Sequence, residues 1–211
     1  MRDVPDEEIA RVLAIYNVEV TSRLCDQIRA YTHLLLRWNR RISLTTITEP
    51  LEILRLHFGE SFLAVPAVPI RHGRLADVGS GPGFPAIPVS MVSPDVALTL
   101  IESNHKKAAF LSEIVRELDL SNVQIHPGRM EELVDKTLDF DFITARAVAI
   151  DRAFLVWSGE HLKSDGRLVL WLGRQASEEL SLVSSWSWRN PISITQTQQR
   201  VILVGSRHDR T

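Results

Sequence analysis

The stretch Leu75-Ala76-Asp77-Val78-Gly79-Ser80-Gly81-Pro82-Gly83-Phe84-Pro85 decides the fold. An apolar run at residues 75–78 reads as a strand, and it passes directly into alternate glycines before a helical pattern over 84–91. Glycine where a strand turns straight into a helix permits positive φ and a close approach of ligand to backbone, and in open α/β sheets this turn is where ligands bind. Working outward, apolar runs at 97–101, 123–125, 140–144 and 168–172 alternate with helical stretches at 105–118, 150–162 and 175–186. Strands alternating with crossover helices predict a parallel sheet covered on both faces, a doubly wound α/β domain of Rossmann-like kind. The last two runs, 192–195 and 201–204, are separated by residues 196–200 alone. That is too short for a crossover helix, so they predict a hairpin and an antiparallel edge strand.

Upstream the rhythm is different. Leu24, Ile28, Tyr31, Leu35, Trp38 and Ile42 alternate spacings of four and three and so share one side of a helix. A second helix is predicted after Pro50, with Leu51, Leu54 and Phe58 on one side. The change of character at Arg71-His72-Gly73 divides the chain into an N-terminal helical extension, residues 1–72, and a sheet domain, residues 73–211. The apolar stripe of the extension is expected to pack against the sheet.

Composition narrows the function classes. With 211 residues, 45% hydrophobic and 24% charged, the chain is long enough for a sizeable core and unlike disordered or collagen-like sequences. A single cysteine, Cys25, rules out an internal disulfide. Neither a CxxC nor an HExxH pair is present, so no metal is expected. The apolar stretch 62–70 contains Pro66 and Pro69 and is far short of the ~20 residues a membrane span needs. Acidic residues in place of a basic leader point to a cytoplasmic protein. A net charge of −2 means that any polyanion must be met by a local patch.

The glycines follow GxGxG, with Phe84 where the dinucleotide pattern GxGxxG requires glycine, which disfavours a nicotinamide cofactor. Pro82 and Pro85 lack the N–H groups that a pyrophosphate would use. S-adenosylmethionine fits better: its zwitterionic end needs amides for the carboxylate and an acid such as Asp77 for the ammonium. Glu102, closing the second strand, can accept hydrogen bonds from both ribose hydroxyls. The plainer alternative makes Gly79, Gly81 and Gly83 turn residues and Glu102 a surface charge.

These residues belong to a wider set: Trp38-Asn39 with Leu44-Thr45, His57 through Ser61, the Asp77–Pro85 segment, Lys106-Lys107 before Phe110-Leu111, Arg129 with Glu131, and Ala145-Arg146-Ala147. The set resembles the glucose-inhibited division protein B family over roughly residues 30–205. That resemblance implies a class I methyltransferase fold and an S-adenosylmethionine-dependent guanine-N7 methyltransferase of bacterial 16S ribosomal RNA, with the RNA or the small subunit as partner of a monomer. It also implies cofactor contacts at Gly79, Phe84, Met130, Glu131 and Arg146, the arginine meeting either a cofactor carboxylate or an RNA phosphate. The chain departs from the family pattern at Ser43, Glu60 and Leu172, where Asn, Asp and Lys are usual. The substrate half of the pattern is therefore less well kept than the cofactor half, which leaves a shifted substrate or a noncatalytic cofactor- and RNA-binding regulator as the alternative.

Guanine N7 carries an in-plane lone pair and no proton, so its methylation needs no general base, and no catalytic residue is assigned. His57 and Glu60, three apart on a helix, read as a mutually satisfied pair or as substrate-orienting groups. Arg23, Arg29, Arg37, Arg40 and Arg41 lie opposite the apolar stripe with Asp26 the only acid among them, a face suited to RNA phosphates or simply to water. Lys106 and Lys107 open a helix, where the dipole disfavours cations by a few tenths of a kcal/mol or more, roughly, and a nearby anion would offset this.

Overall fold

The computed structural model describes residues 3–16, 18–133, 139–194 and 199–208. Eight strands form one sheet: β1 (His72–Val78), β2 (Asp95–Ile101), β3 (Val123–His126), β4 (Phe140–Arg146), β5 (Leu162–Gly173), β6 (Trp186–Trp188), β7 (Ile192–Ser193) and β8 (Arg200–Arg207). Their order is β3-β2-β1-β4-β5-β8-β6, with β7 also on β8. The first five are parallel and the β8 pairings antiparallel. β1 lies between β2 and β4, so successive crossovers leave it in opposite directions and open a crevice at the carboxyl ends of the strands.

The nine helices among the described residues are α1 (Asp6–Leu13), α2 (Ser22–Asn39), α3 (Pro50–Ile53), α4 (Glu60–Phe62), α5 (Ala64–Ala67), α6 (Ala86–Val92), α7 (His105–Glu117), α8 (Arg152–His161) and α9 (Arg174–Leu180). A π-helical segment, Leu54–Gly59, joins α3 to α4. α1 falls within the predicted helical extension; its Ile9, Val12 and Leu13 are buried, and Asp6, Glu7 and Glu8 suit the positive end of its dipole.

The apolar stripe of α2 is buried, but it packs on α6 and α7 rather than on the sheet, because those helices already cover that face. Tyr31, Leu35, Phe58 and Phe62 of the extension join Phe110 and Ile114 of α7 and Leu98, Leu100 and Val169 of the sheet in one continuous core. The opposite face is covered by α8 and α9, with Phe154, Trp157 and Leu180 against Ile143, Leu168 and Leu170.

The C-terminal part keeps the predicted hairpin and departs from the sequence reading in one helix. β7 and β8 form the hairpin, residues 195–198 of which lie outside the described ones, and β7 and β6 lie along the outer edge of β8 as short antiparallel strands. The predicted helix 175–186 ends at Leu180, and Trp186 belongs to β6. Trp186 and Trp188 alternate at strand spacing and stack, ring centroids 5.7 Å apart, beside Gly205 of β8. A Cβ there would lie 2.5 Å from Trp188, so the glycine makes room for the indoles.

Candidate active site

Val78, at the end of β1, is in register with Ile101 of β2 and Ala145 of β4. The residues that follow, Gly79, Glu102 and Arg146, therefore emerge side by side at the carboxyl edge. Gly79, Gly81 and Gly83 all have positive φ, at 69°, 55° and 89°, a region L side chains avoid. A Cβ on Gly79 would collide with Val148, whereas one on Gly81 would find only the Gly79 carbonyl, 3.8 Å away. Gly79 is thus required by packing and φ together, Gly81 by φ and the open space above it.

The amides of this turn are engaged within the protein. Those of Gly79 and Ser80 donate to the Ile101 carbonyl at 2.8 and 3.1 Å, that of Gly81 to Glu102 Oε2 at 2.7 Å, and that of Gly83 to the Ser80 carbonyl at 2.7 Å. Glu102 Oε1 accepts from the Asn104 amide at 2.7 Å. The free amides expected for a cofactor carboxylate are therefore not offered at these four positions.

Two charged groups nearby each have one unpartnered atom. Asp77, in register with Thr144, accepts from Thr144 Oγ1 at 2.6 Å through Oδ1, while its buried Oδ2 has no hydrogen-bond partner. Burial pushes its carboxyl up to about 7, against the hydrogen bonds of Thr144 and Ser80. Arg146 lies two residues beyond Thr144 and so on the same face of β4; its buried Nη1 also lacks a hydrogen-bond partner. Orphaned buried acceptor and donor atoms of opposite charge on one sheet face fit a zwitterionic ligand end.

Arg146 Nη2 donates to the Leu56 carbonyl at 3.1 Å and lies 3.2 Å from Glu60 Oε2; Arg200 of β8 lies 2.7 Å from Glu60 Oε1. Glu60 is fully buried, which raises its carboxyl pKa against the pull of the two guanidiniums. The predicted His57–Glu60 pairing is absent. The π-helical turn separates the two side chains: His57 Nε2 pairs with Thr45 Oγ1 at 2.8 Å, and Glu60 turns to the arginines. Sequence reasoning missed Arg200, which stands in a strand with no motif around it, and Thr45, whose role follows from Asn39. The Asn39 side chain accepts from the Leu44 and Thr45 amides at 2.8 and 3.0 Å and donates to the Thr45 carbonyl at 2.8 Å, closing the loop after α2. Ala147 has φ of 57°, a rare conformation for a residue with a Cβ, and marks the Arg146-Ala147 step as a sharp turn at the crevice.

Phe84 is buried and faces the extension. It stacks on Tyr31, with centroids 5.0 Å apart, and on His57, at 4.7 Å. Met130 is half-buried and Glu131 exposed, in a 3-10 turn after β3, beside a groove of about 620 Å³ that also borders Leu133, Trp157 and His161.

The basic residues separate into two sets. Arg29 is held by Asp6 and Asp26, and Arg37 by Glu113, which also accepts from Trp38 Nε1 at 2.7 Å. Arg40 and Arg41 are exposed at the end of α2, and Lys106 and Lys107 begin α7. Gln27 reaches the Leu118 carbonyl while Trp38 packs on Phe110, so α2 and α7 run antiparallel and these cations share one end of the helix pair. The Asn104 side chain caps the Lys106 and Lys107 amides at 3.0 and 3.2 Å. No group of three metal-ligating side chains occurs among the described residues, and no helix there is long and apolar enough to cross a membrane.

A sheet in this order, with a glycine turn on β1 and an acid closing β2, defines the class: a Rossmann-like fold of the class I methyltransferase kind. The fold is shared with ribosomal protein L11 methylase from Lactobacillus delbrueckii subsp. bulgaricus, at TM-score 0.60 and 18% identity over 72% of this chain and 79% of that one. It is shared as well with precorrin-6y C5,15-methyltransferase from Geobacter metallireducens GS-15, at TM-score 0.57 and 14% identity over 78% and 90% of the two chains.

Residues 24–187 match the family model of rRNA small subunit methyltransferase G. Over 154 residues, 73% of this chain and 71% of the relative, it is 43% identical to ribosomal RNA small subunit methyltransferase G of Xylella fastidiosa strain 9a5c. The namesake from Streptococcus sanguinis strain SK36 is 36% identical over 179 residues, 82% and 76% of the two chains. The chain belongs to this family, as its motifs led us to expect, and is an S-adenosylmethionine-dependent RNA methyltransferase.

Proposed function

We propose that this protein, a cytoplasmic enzyme, transfers the methyl group of S-adenosylmethionine to N7 of a guanine in 16S ribosomal RNA. The observation that supports it best is the alignment of Gly79, Glu102 and Arg146 at one edge, with the orphaned Asp77 Oδ2 and Arg146 Nη1 on the face below. On this reading Asp77 takes the cofactor ammonium, Arg146 its carboxylate or an RNA phosphate, and Glu102 the ribose hydroxyls, exchanging its bonds to the Gly81 and Asn104 amides. Gly79 shapes the turn under the cofactor, and Gly81 lets the cofactor approach the backbone. Met130 and Glu131 flank the adenine, and Phe84 supports the turn from beneath.

Bound S-adenosylmethionine supplies an electrophilic methyl group on a sulfonium. The protein's part is to align acceptor, methyl carbon and sulfur in a site sheltered from water. Guanine N7 gives up no proton, and His57, whose pKa is depressed to about 3 by burial and by the Arg146 and Arg200 charges, is matched to a site without a general base. The exposed cations Arg40, Arg41 and Lys106, with Lys107 and the partly engaged Arg37, would meet RNA phosphates. Residues 1–72 would then brace the turn and share the RNA with Lys106 and Lys107, and residues 73–211 would hold the cofactor.

The test is transfer of label from methyl-labelled cofactor to small-subunit RNA lacking the modification, followed by mapping of the methylated base. Label in N7-methylguanine is expected. Label in another base would shift the acceptor, and binding of cofactor without turnover on RNA or subunits would overturn catalysis.

A further inference from the structure

Three features of the extension meet at one imidazole. The loop after α2 is closed on Asn39, which fixes Thr45. Thr45 Oγ1 accepts from the Ile47 amide at 3.1 Å and faces His57 Nε2 at 2.8 Å. One hydrogen bond therefore joins the Thr45 hydroxyl to the imidazole, whose Nδ1 is buried without a partner. Its flat face stacks on Phe84, the residue that follows the three glycines. The flanking residues of the same π-helical turn hold the other side of the crevice: the Leu56 carbonyl takes Arg146 Nη2, and Glu60, one residue past the turn, lies against both Arg146 and Arg200.

One turn thus touches the glycine loop of β1 through an aromatic stack and the carboxyl end of β4 through a guanidinium. The turn therefore bridges the two sides of the crevice. We propose that His57 is a positioning residue for methyl transfer, locked by Thr45 and stacked on Phe84 so that the glycine turn and Arg146 keep a fixed spacing. The proposal rests on the functional reading above. His57 carries no proton in the reaction and serves by rigidity, the geometry in which a displacement of about 1 Å costs on the order of 100-fold in rate.

The test measures turnover on small-subunit RNA and cofactor affinity by calorimetry for the wild type, Thr45→Val, Thr45→Ser and His57→Phe, each also melted to verify folding. Thr45→Val removes the hydroxyl at nearly constant volume and is expected to lower kcat about 10-fold with cofactor Kd changed less than about threefold; Thr45→Ser should restore it. His57→Phe keeps a ring against Phe84 but loses the hydrogen bond, and should lower kcat by a similar factor without altering the shape of its pH profile. Full activity in both Thr45→Val and His57→Phe would overturn the proposal. So would loss of a limb of the pH profile in His57→Phe, which would make the imidazole a proton carrier, or a fall in cofactor affinity as large as the fall in kcat. A wild type that leaves the RNA unmethylated would instead overturn the functional reading, which separates the two failures.

Discussion

Tyr31 of α2 donates its hydroxyl to the carbonyl of Pro82 at 2.5 Å, tying the helical extension to the middle of the glycine turn. The same ring stacks on Phe84, and a Cβ on Gly83 would run into its hydroxyl. The turn is therefore shaped from outside the sheet domain. Tyr31→Phe should cost about 1–2 kcal/mol of stability, since it leaves a carbonyl without its donor, and should weaken cofactor binding several-fold. Denaturant unfolding and calorimetry check both; equal stability and affinity would show that the hydroxyl contributes nothing.

The glycines of the turn should separate by mechanism. Gly81→Ala pays roughly 1–2 kcal/mol for a positive φ but places its methyl in open space, so the protein should fold and lose at least 10-fold in cofactor affinity. Gly79→Ala meets Val148 as well and should be the less stable variant, with part of the loss recovered by Val148→Ala. Melting curves rank the three variants, and unaltered affinity in Gly81→Ala would place the cofactor elsewhere.

Cofactor binding should depend on pH through Asp77. In the folded chain this carboxyl is raised from 3.8 to about 7, so between those values the folded state keeps a proton that the unfolded state has lost. Its contribution to stability falls as pH rises through that window. An ammonium beside Oδ2 lowers the pKa and expels the proton, so affinity should increase about fivefold between about pH 6 and pH 7, a window in which the ligand's own α-amino group stays mostly protonated. Titration calorimetry in buffers of different ionisation heat would register the released proton. Asp77→Asn should flatten the dependence.

RNA affinity should respond to charges that have no internal partner. Arg40→Glu with Arg41→Glu should weaken RNA binding and make it less sensitive to salt, each lost phosphate contact reducing the slope of log K against log salt by about 0.7–0.9. Cofactor affinity should be unaffected. Arg37→Glu is the poorer probe, because it would set two carboxylates against each other at Glu113. Filter binding across a salt series reads the result, and an unchanged slope would make this end of the helix pair plain solvent surface.

Much of the fold was legible because strand and helix periods are local. The five parallel strands, the glycine turn and the apolar stripe of α2 each announce themselves within a single short segment of chain. Trp186 was misplaced because a short edge strand with two tryptophans at alternate positions resembles the tail of an amphipathic helix until Gly205 of β8 is seen beside it. The placement of Asp77, Gly79, Glu102 and Arg146 at the carboxyl ends of strands was readable from the apolar runs around them. Arg200, Thr45 and the role of Asn39 were not, since each acquires its meaning from a partner that only folding brings near.

The order of residues alone was enough to settle the class of sheet, the place of the glycine turn and the family, because these depend on periodicity, on φ and on motifs in consecutive residues. Only the folded chain decided which polar groups meet: His57 with Thr45 instead of Glu60, Glu60 with two arginines from separate strands, and Phe84 turned toward Tyr31. Buried charges and hydrogen-bonding groups must find partners wherever topology places them, and that requirement leaves no periodic trace along the chain.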